Sequence, residues 1–143
     1  MKRLEDSLTL QLLRARESSM AFFRPVLQKA GFTEQQWRVL RVLNDHKELE
    51  AKQLAELCCI LSPSLTRIIT RFEEDDLLIR KKSLTDQRIA LLSLTPKANK
   101  IVTEFRPEVD ASYQRIIEKL GEDKMKELSR LLNDIIALDS TSN

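Results

Sequence analysis

Residues 62–95 read SPSLTRIITRFEEDDLLIRKKSLTDQRIALLSLT, and their order decides the fold. Ser62-Pro63-Ser64 is a helix start, because Ser is a good N-cap and Pro at the first helical position gives up an N–H that would lack a partner anyway. Leu65, Ile68, Ile69 and Phe72 then recur at the spacing of one buried helical stripe, leaving Ser64, Thr66, Arg67, Thr70 and Arg71 on the remaining surface. A short apolar strand, Leu77-Leu78-Ile79, runs into Arg80-Lys81-Lys82. Ser83 to Arg88 reads as a turn, and a second strand ends in Leu92-Ser93-Leu94-Thr95. A helix followed by a small basic hairpin is the second half of a winged helix-turn-helix.

Immediately upstream, a short helix over about Ala51 to Leu57, with Leu54, Ala55 and Leu57 inward, leads into Cys58-Cys59-Ile60-Leu61 and completes a helix-turn-helix with the helix at Ser62. Before it, Thr33-Glu34-Gln35-Gln36 is a capping box, in which the Thr33 hydroxyl accepts from the Gln36 N–H and the Gln36 side chain reaches back. The helix it opens buries Trp37, Leu40, Leu43 and Val39, and the polar run Asn44 to Glu48 closes it.

The flanks are helical. Ser7 to Ala30 places Leu8, Leu12, Ala15, Phe22, Phe23, Val26 and Leu27 near helical spacing before Gly31, with a bend expected around Phe22 because Pro25 removes a backbone bond. Thr95-Pro96 opens a second long run through Ile101, Val102, Phe105, Val109, Tyr113, Ile116, Ile117 and Leu120, which Pro107 should kink or split. A last helix carries Met125, Leu128, Leu131, Leu132, Ile135, Ile136 and Leu138, more apolar surface than an exposed terminal helix needs. That surplus predicts a two-fold homodimer through the terminal helices; the alternative is a monomer that folds them onto its own core. The expected architecture is mainly α (α+β), a winged helix-turn-helix with long N- and C-terminal dimerisation helices and a two-stranded wing. It forms one domain over 1–143, with the winged lobe over 33–94 and dimerisation helices over 1–32 and 95–143.

Composition agrees with this reading and excludes others. The 143 residues include only two Gly and four Pro, little material for a loop-rich enzyme or an all-β fold. A formal net charge of +2 does not mark a nucleic-acid binder by itself, so local placement of charge decides. No stretch is apolar for long enough to span a bilayer, and Met1 to Asp6 lack the apolar core of a signal peptide, which predicts a cytoplasmic protein. Cys58 and Cys59 are adjacent, a spacing that strains a disulfide, and they read as reduced thiols filling a helix end.

The wing carries Asp86-Gln87-Arg88 and closes through Ile89 to Leu94 and Thr95, a pattern that resembles the MarR family of bacterial winged-helix regulators over nearly the whole chain. At finer grain, Asp6 to Thr9, Ala15-Arg16-Glu17, Phe22 to Pro25, Thr33 to Arg38 and Cys59-Ile60-Leu61 resemble those members that repress homoprotocatechuate degradation. The resemblance implies a ligand-responsive repressor of an aromatic-acid (homoprotocatechuate or 4-hydroxyphenylacetate) catabolic operon, released from a palindromic double-stranded DNA operator by a phenolic acid. One position departs from the family. Asp76 stands where Gly usually closes the recognition helix at positive φ, a conformation Asp is among the few other residues to tolerate.

In this fold the helix at Ser62 enters the major groove. Arg67 and Arg71 are candidates to read guanine, Thr66 and Thr70 to touch a thymine methyl or a phosphate, and Ser62 and Ser64 to hold a backbone phosphate beside the first-turn N–H groups. The acidic end, Glu73 to Asp76, opposes both phosphate and the helix dipole, so the N-terminal half must face the DNA. The resemblance further implies that Arg88 enters the minor groove with Asp86 bracing it, while Lys81, Lys82 and Gln87 contact phosphates.

It also implies a small aromatic carboxylate effector, for which Arg16, Ser19, Met20, Phe23, Trp37, Arg38 and Arg41 supply cations and an apolar wall. Taken singly, Phe23 and Trp37 suit a core, Met20 a filler and the arginines salt bridges; only together do they suggest a pocket. His46 could sense pH or donate to a phenol, but a lone histidine in a polar loop is more often plain surface.

Three other classes fit less well. A thiol-based oxidant sensor would use Cys58 and Cys59, although the reactive cysteine in this family usually sits near the start of the first helix. Zinc regulation lacks ligands, given one histidine and a vicinal thiol pair, so no metal or cofactor is expected. An enzyme would need a phosphate loop or a nucleophile, base and acid set that the chain does not offer.

Overall fold

A computed structural model describes Arg3 and residues 7–141 of the chain; the charged start at Met1, Lys2, Leu4, Glu5 and Asp6 lies outside the described residues. The described residues form seven helices and three strands: α1 Leu8–Met20, α2 Arg24–Ala30, α3 Glu34–His46, β1 Glu48–Glu50, α4 Ala51–Cys58, α5 Ser62–Glu74, β2 Leu78–Lys82, β3 Ala90–Leu94, α6 Pro96–Leu120 and α7 Glu122–Ile136. They divide into two compact units, one of residues 24–108 and one of residues up to 23 joined with those from 109 onward. The winged lobe expected over 33–94 therefore sits inside a larger unit that adds α2 and the first half of α6. Among the described residues no helix is long and apolar enough to cross a membrane.

In the 24–108 unit, α2, α4 and α5 each end where a residue adopts positive φ and the next residue is apolar. α2 closes at Gly31 (φ 81°), where the Phe32 N–H donates to the Leu27 carbonyl at 3.2 Å. α4 closes at Cys59 (φ 53°), with Ile60 N–H on Ala55 O at 3.1 Å, and α5 at Asp76 (φ 57°), with Leu77 N–H on Phe72 O at 2.8 Å. These six-to-one bonds satisfy carbonyls that the helix leaves open, and Phe32, Ile60 and Leu77 fold back toward the core. The capping box is formed at Thr33: Gln36 N–H donates to Thr33 Oγ1 at 3.1 Å and Thr33 N–H to Gln36 Oε1 at 3.0 Å.

The core of this unit is built from Trp37, Val39, Leu40 and Leu43 of α3, Leu54 and Cys58 of α4, and Leu65, Ile68, Ile69 and Phe72 of α5. Phe32 meets the Phe72 ring edge-on at 6.3 Å. Leu57, expected inward, is 50% exposed, and Cys58 takes the buried place. The reason is helical spacing, since Leu54 and Cys58 stand four apart on one face.

Four further features differ from the sequence reading. The wing sheet has three strands, in antiparallel order β1-β3-β2 with Leu49 opposite Leu92 and Arg80 opposite Leu92 across the other edge. β1 is too short to show a period-two pattern, and only its pairing with β3 makes it a strand. Pro25 does not bend one long helix but separates two: α1 ends at Met20 and α2 starts at Arg24, which places the proline in the first turn, where its missing N–H has no intrahelical partner to lose. Ser62 is the first residue of α5 rather than its cap, which is Leu61, with Pro63 one position further in. Pro107, expected to kink or split α6, lies inside a continuous 25-residue helix. Pro107 and Thr103 are both exposed, so water can take the carbonyl bond that Pro cannot donate to.

The second unit contains α1, the C-terminal half of α6 and α7. The Ser7 side chain accepts from Leu10 N–H at 3.4 Å and caps α1. Phe23 packs against Tyr113 with centroids 5.3 Å apart, and the Arg115 guanidinium lies 5.4 Å from the Phe22 ring. Val109 and Ser112 are buried, but neither α1 nor α7 contributes a buried residue. Leu8, Leu13, Leu128, Leu131 and Ile136 are all more than two-fifths exposed, so the terminal helices carry an apolar surface that one chain leaves in water.

Candidate nucleic-acid interface

The surface of α5 separates as its sequence predicts. Leu65, Ile68, Ile69 and Phe72 hold the helix to the core, while Ser62, Thr66, Arg67, Thr70 and Arg71 are exposed and Ser64 is half-buried. Thr66 Oγ1 donates to the Ser62 carbonyl at 2.9 Å, so its proton is committed to the helix and its methyl and oxygen lone pairs remain for a base or phosphate. Arg71 Nε is paired with Asp75 at 3.0 Å, whereas Arg67 has no ion-pair partner among the described residues.

The acidic end of α5 has a use that the sequence reading missed. Glu73 accepts from Arg80 of β2 at 2.8 Å, tying the recognition helix to the wing, and Asp75 neutralises Arg71. A second joint lies at Thr95, between β3 and α6. Its buried hydroxyl donates to the Asp76 carbonyl at 2.8 Å and accepts from Ala98 N–H at 3.1 Å, while its own N–H bonds to Leu77 O at 3.1 Å. Lys97 Nζ donates to Asp75 O at 2.9 Å. The positive-φ turn at Asp76 is thus held from both sides, and the angle between α5 and the wing is set by hydrogen bonds rather than by chain propensity. Thr-Pro signalled a helix cap in the sequence; nothing local announced that the same hydroxyl also braces a residue nineteen positions earlier.

The wing turn is internally bonded. Ser83 Oγ is buried and accepts from the N–H groups of Thr85 at 3.3 Å and Asp86 at 3.4 Å. Asp86 Oδ1 accepts from Arg88 N–H at 3.0 Å and Nε at 3.1 Å, and Oδ2 from Arg88 Nη2 at 3.0 Å. The Arg88 side-chain bonds, and then its backbone N–H, hold the Asp86 carboxyl below the usual carboxylate range. The same contact raises Arg88. The Arg88 side chain remains 90% exposed, so the clip orients the guanidinium without covering it. Lys81 reaches Glu48 of β1 at 3.5 Å, and Lys82 and Gln87 are exposed.

The residues read as effector contacts fall in both units. On α1, Arg16 and Ser19 are exposed, with Ser19 Oγ donating to Ala15 O at 2.8 Å, and Met20 is half-buried; Phe23, in the turn after α1, packs on Tyr113 as described. On α3, Trp37 is core, edge-on to Phe105 at 6.4 Å. Arg38 Nη1 donates to the Cys58 carbonyl at 2.7 Å and Nη2 to Glu34, which caps the end of α4 and leaves its guanidinium structural. Arg41 is exposed and has no ion-pair partner among the described residues. Tyr113, the ring neighbour of Phe23, was legible only as part of an apolar series, and Arg115, beside the Phe22 ring, was not singled out by the sequence.

Cys58 is buried, and burial pushes its thiol up to about 11 against the pull of the nearby Arg38. A thiol held that high is almost wholly protonated at neutral pH and a poor nucleophile. Cys59 is exposed at the positive-φ end of α4. Among the described residues no cluster of three or more His, Cys, Asp or Glu is placed to hold a metal.

Residues 32–90 match the MarR family. The chain is 39% identical to the homoprotocatechuate degradative operon repressor of Escherichia coli over 138 residues, covering 96% of this chain and 93% of that protein. It is 42% identical to the HTH-type transcriptional regulator FarR of Neisseria gonorrhoeae over 137 residues, covering 96% and 94%. Among solved structures, NadR in complex with 4-hydroxyphenylacetate superposes with a TM-score of 0.86 at 40% identity, covering 97% of this chain and 99% of that one.

Proposed function

The chain belongs to the MarR family, and from that premise we propose that it represses an operon for breakdown of an aromatic acid, leaving a palindromic operator when a phenolic acid binds. The observation that carries this reading is the likeness, along almost the full length of both chains, to a homoprotocatechuate operon repressor and to a structure holding 4-hydroxyphenylacetate. The α5 and wing geometry supports it. Two copies pair through the exposed apolar residues of the terminal helices, which offsets the burial that one chain lacks. Each copy then offers Arg67 as its free major-groove guanidinium, with Ser62, Ser64, Thr66, Thr70 and Arg71 around it, and Arg88 to the minor groove from the Asp86 clip. Lys81, Lys82 and Gln87 add phosphate contacts, and the protein works in the cytoplasm beside the chromosome.

The effector acts by linkage. A phenolic acid that favours a conformation unsuited to DNA lowers operator affinity by the factor with which DNA lowers its own, and about 1–3 kcal/mol of coupling gives a fivefold to hundredfold change. Arg41, exposed and without an ion-pair partner among the described residues, is the proposed contact for the carboxylate, since Arg38 is spent on Cys58 and Glu34. Arg16, Ser19 and Met20 on α1, Phe23 in the turn after it and Trp37 on α3 are the other residues proposed as effector contacts. The test is gel retardation of the protein's own promoter fragment against 4-hydroxyphenylacetate and homoprotocatechuate. Release of the complex is expected, with Arg41→Ala retaining DNA binding but losing the response. If neither acid nor a related phenolic acid moves the midpoint, the proposed pathway is wrong.

A further inference from the structure

A cleft of 460 Å³ lies in the 24–108 unit at the end of α3, lined by Leu43, Asn44, Lys47, Leu94 and Asn99. Its floor is apolar, since Leu43 and Leu94 are 1% and 8% exposed core residues. Its polar rim is defined by a chain of hydrogen bonds that starts from an arginine. Arg106 Nη2 can only donate, so the Asn44 atom 3.1 Å from it is the carbonyl oxygen. Asn44 therefore presents its NH₂ to Asn99 at 3.1 Å, and Asn99 must accept with its own oxygen. That leaves the Asn99 NH₂ group free to donate.

Lys47 adds a cation to the same rim. It holds φ 67° and ψ −54°, a conformation rare for a side-chain-bearing residue, and has no ion-pair partner among the described residues. The two acids nearest to it in sequence are engaged elsewhere: Asp45 with Arg106 at 3.5 Å and Glu48 with Lys81 at 3.5 Å. The cleft lining thus combines an amide donor and a lysine that have no partner among the described residues with the apolar Leu43 and Leu94, which is the complement of a carboxylate with an apolar body.

We propose that this cleft binds a small monocarboxylate, with the carboxylate on Lys47 and Asn99 and the body on Leu43 and Leu94. Such an occupant bears on the wing. Lys47 directly precedes β1, whose Glu48 pairs with Ser93 of β3 in the sheet and with Lys81 of β2 through its side chain. The site is separate from the effector contacts of the preceding section, and it stands or falls without them.

The test is a backbone and side-chain amide NMR titration of the full-length protein with hexanoate, and with hexanamide as the uncharged analogue. Hexanoate should saturate shifts at Leu43, Lys47, Leu94 and the Asn99 NH₂, with hexanamide inert. Lys47→Met and Asn99→Asp should each weaken hexanoate by about tenfold or more. Asn99→Asp is informative even if Lys47→Met fails to fold, because it keeps the acceptor for Asn44 and exchanges the free donor for a negatively charged acceptor that repels a bound carboxylate. Equal binding of hexanamide, unchanged affinity in Asn99→Asp, or no shift at these residues at millimolar hexanoate overturns the proposal. None of these outcomes touches release from DNA by phenolic acids, which is read on the operator.

Discussion

Replacing Thr95 by valine keeps the shape of the side chain and removes the hydroxyl that joins the recognition helix to α6. Two bonds go with it. Loss of the acceptor for Ala98 N–H removes the helix cap, worth about 1 kcal/mol. Loss of the donor leaves the Asp76 carbonyl beside a buried methyl, at a cost of about 1–2 kcal/mol. The sum, about 2–3 kcal/mol, lowers Tm by roughly 5–10 °C for a chain of this size. Urea denaturation followed by circular dichroism reads it directly, as a lower midpoint at unchanged slope. Thr95→Ser retains both bonds, loses one methyl and should fall by under about 1 kcal/mol. Because the Asp76 turn sets α5 against the wing, Thr95→Val should also weaken operator binding in protein that is still fully folded. A valine variant within about 0.5 kcal/mol of the wild type would mean that the hydroxyl does not carry the joint.

Arg88→Ala should reduce operator affinity and lower the slope of log affinity against log salt by about two, one for each copy in the dimer, measured by fluorescence polarisation; unchanged affinity and slope remove Arg88 from groove contact. Arg67→Ala should cost about 1–3 kcal/mol and relax specificity at one base position, with a smaller loss for Arg71→Ala, whose guanidinium is shared with Asp75. The Asp86 carboxyl is depressed in the folded protein, so the charged clip is fully formed above the ordinary carboxylate value of 3.8 and is lost only as pH falls through the lower folded value. An NMR titration should place its midpoint below 3.8 and return it upward in Arg88→Ala. Asp76→Gly should stabilise the protein by about 0.5–1 kcal/mol, seen as a higher Tm, because glycine holds positive φ without a Cβ.

What the chain encodes by itself is whatever is decided within a few residues. The Thr33–Gln36 box and the buried stripe of α5 join groups at most seven positions apart and could be read from residue type and spacing, while the positive φ at Asp76 and the Asp86–Arg88 clip, equally local, followed from the family resemblance. Pairing over long separations was not legible, because it depends on which surfaces meet. β1 is a strand only because β3, some forty residues later, lies beside it. Arg38 looked like a free cation for a ligand until the fold placed the Cys58 carbonyl against it. Pro25 and Pro107 carry the same ring and the same missing donor, yet one separates two helices and the other is absorbed in one, since solvent at Thr103 can satisfy what the backbone cannot. The exposed face of α5 was therefore written in the local sequence, while the joint at Thr95 that holds it against the hairpin and the cleft beside Lys47 exist only where distant segments come together.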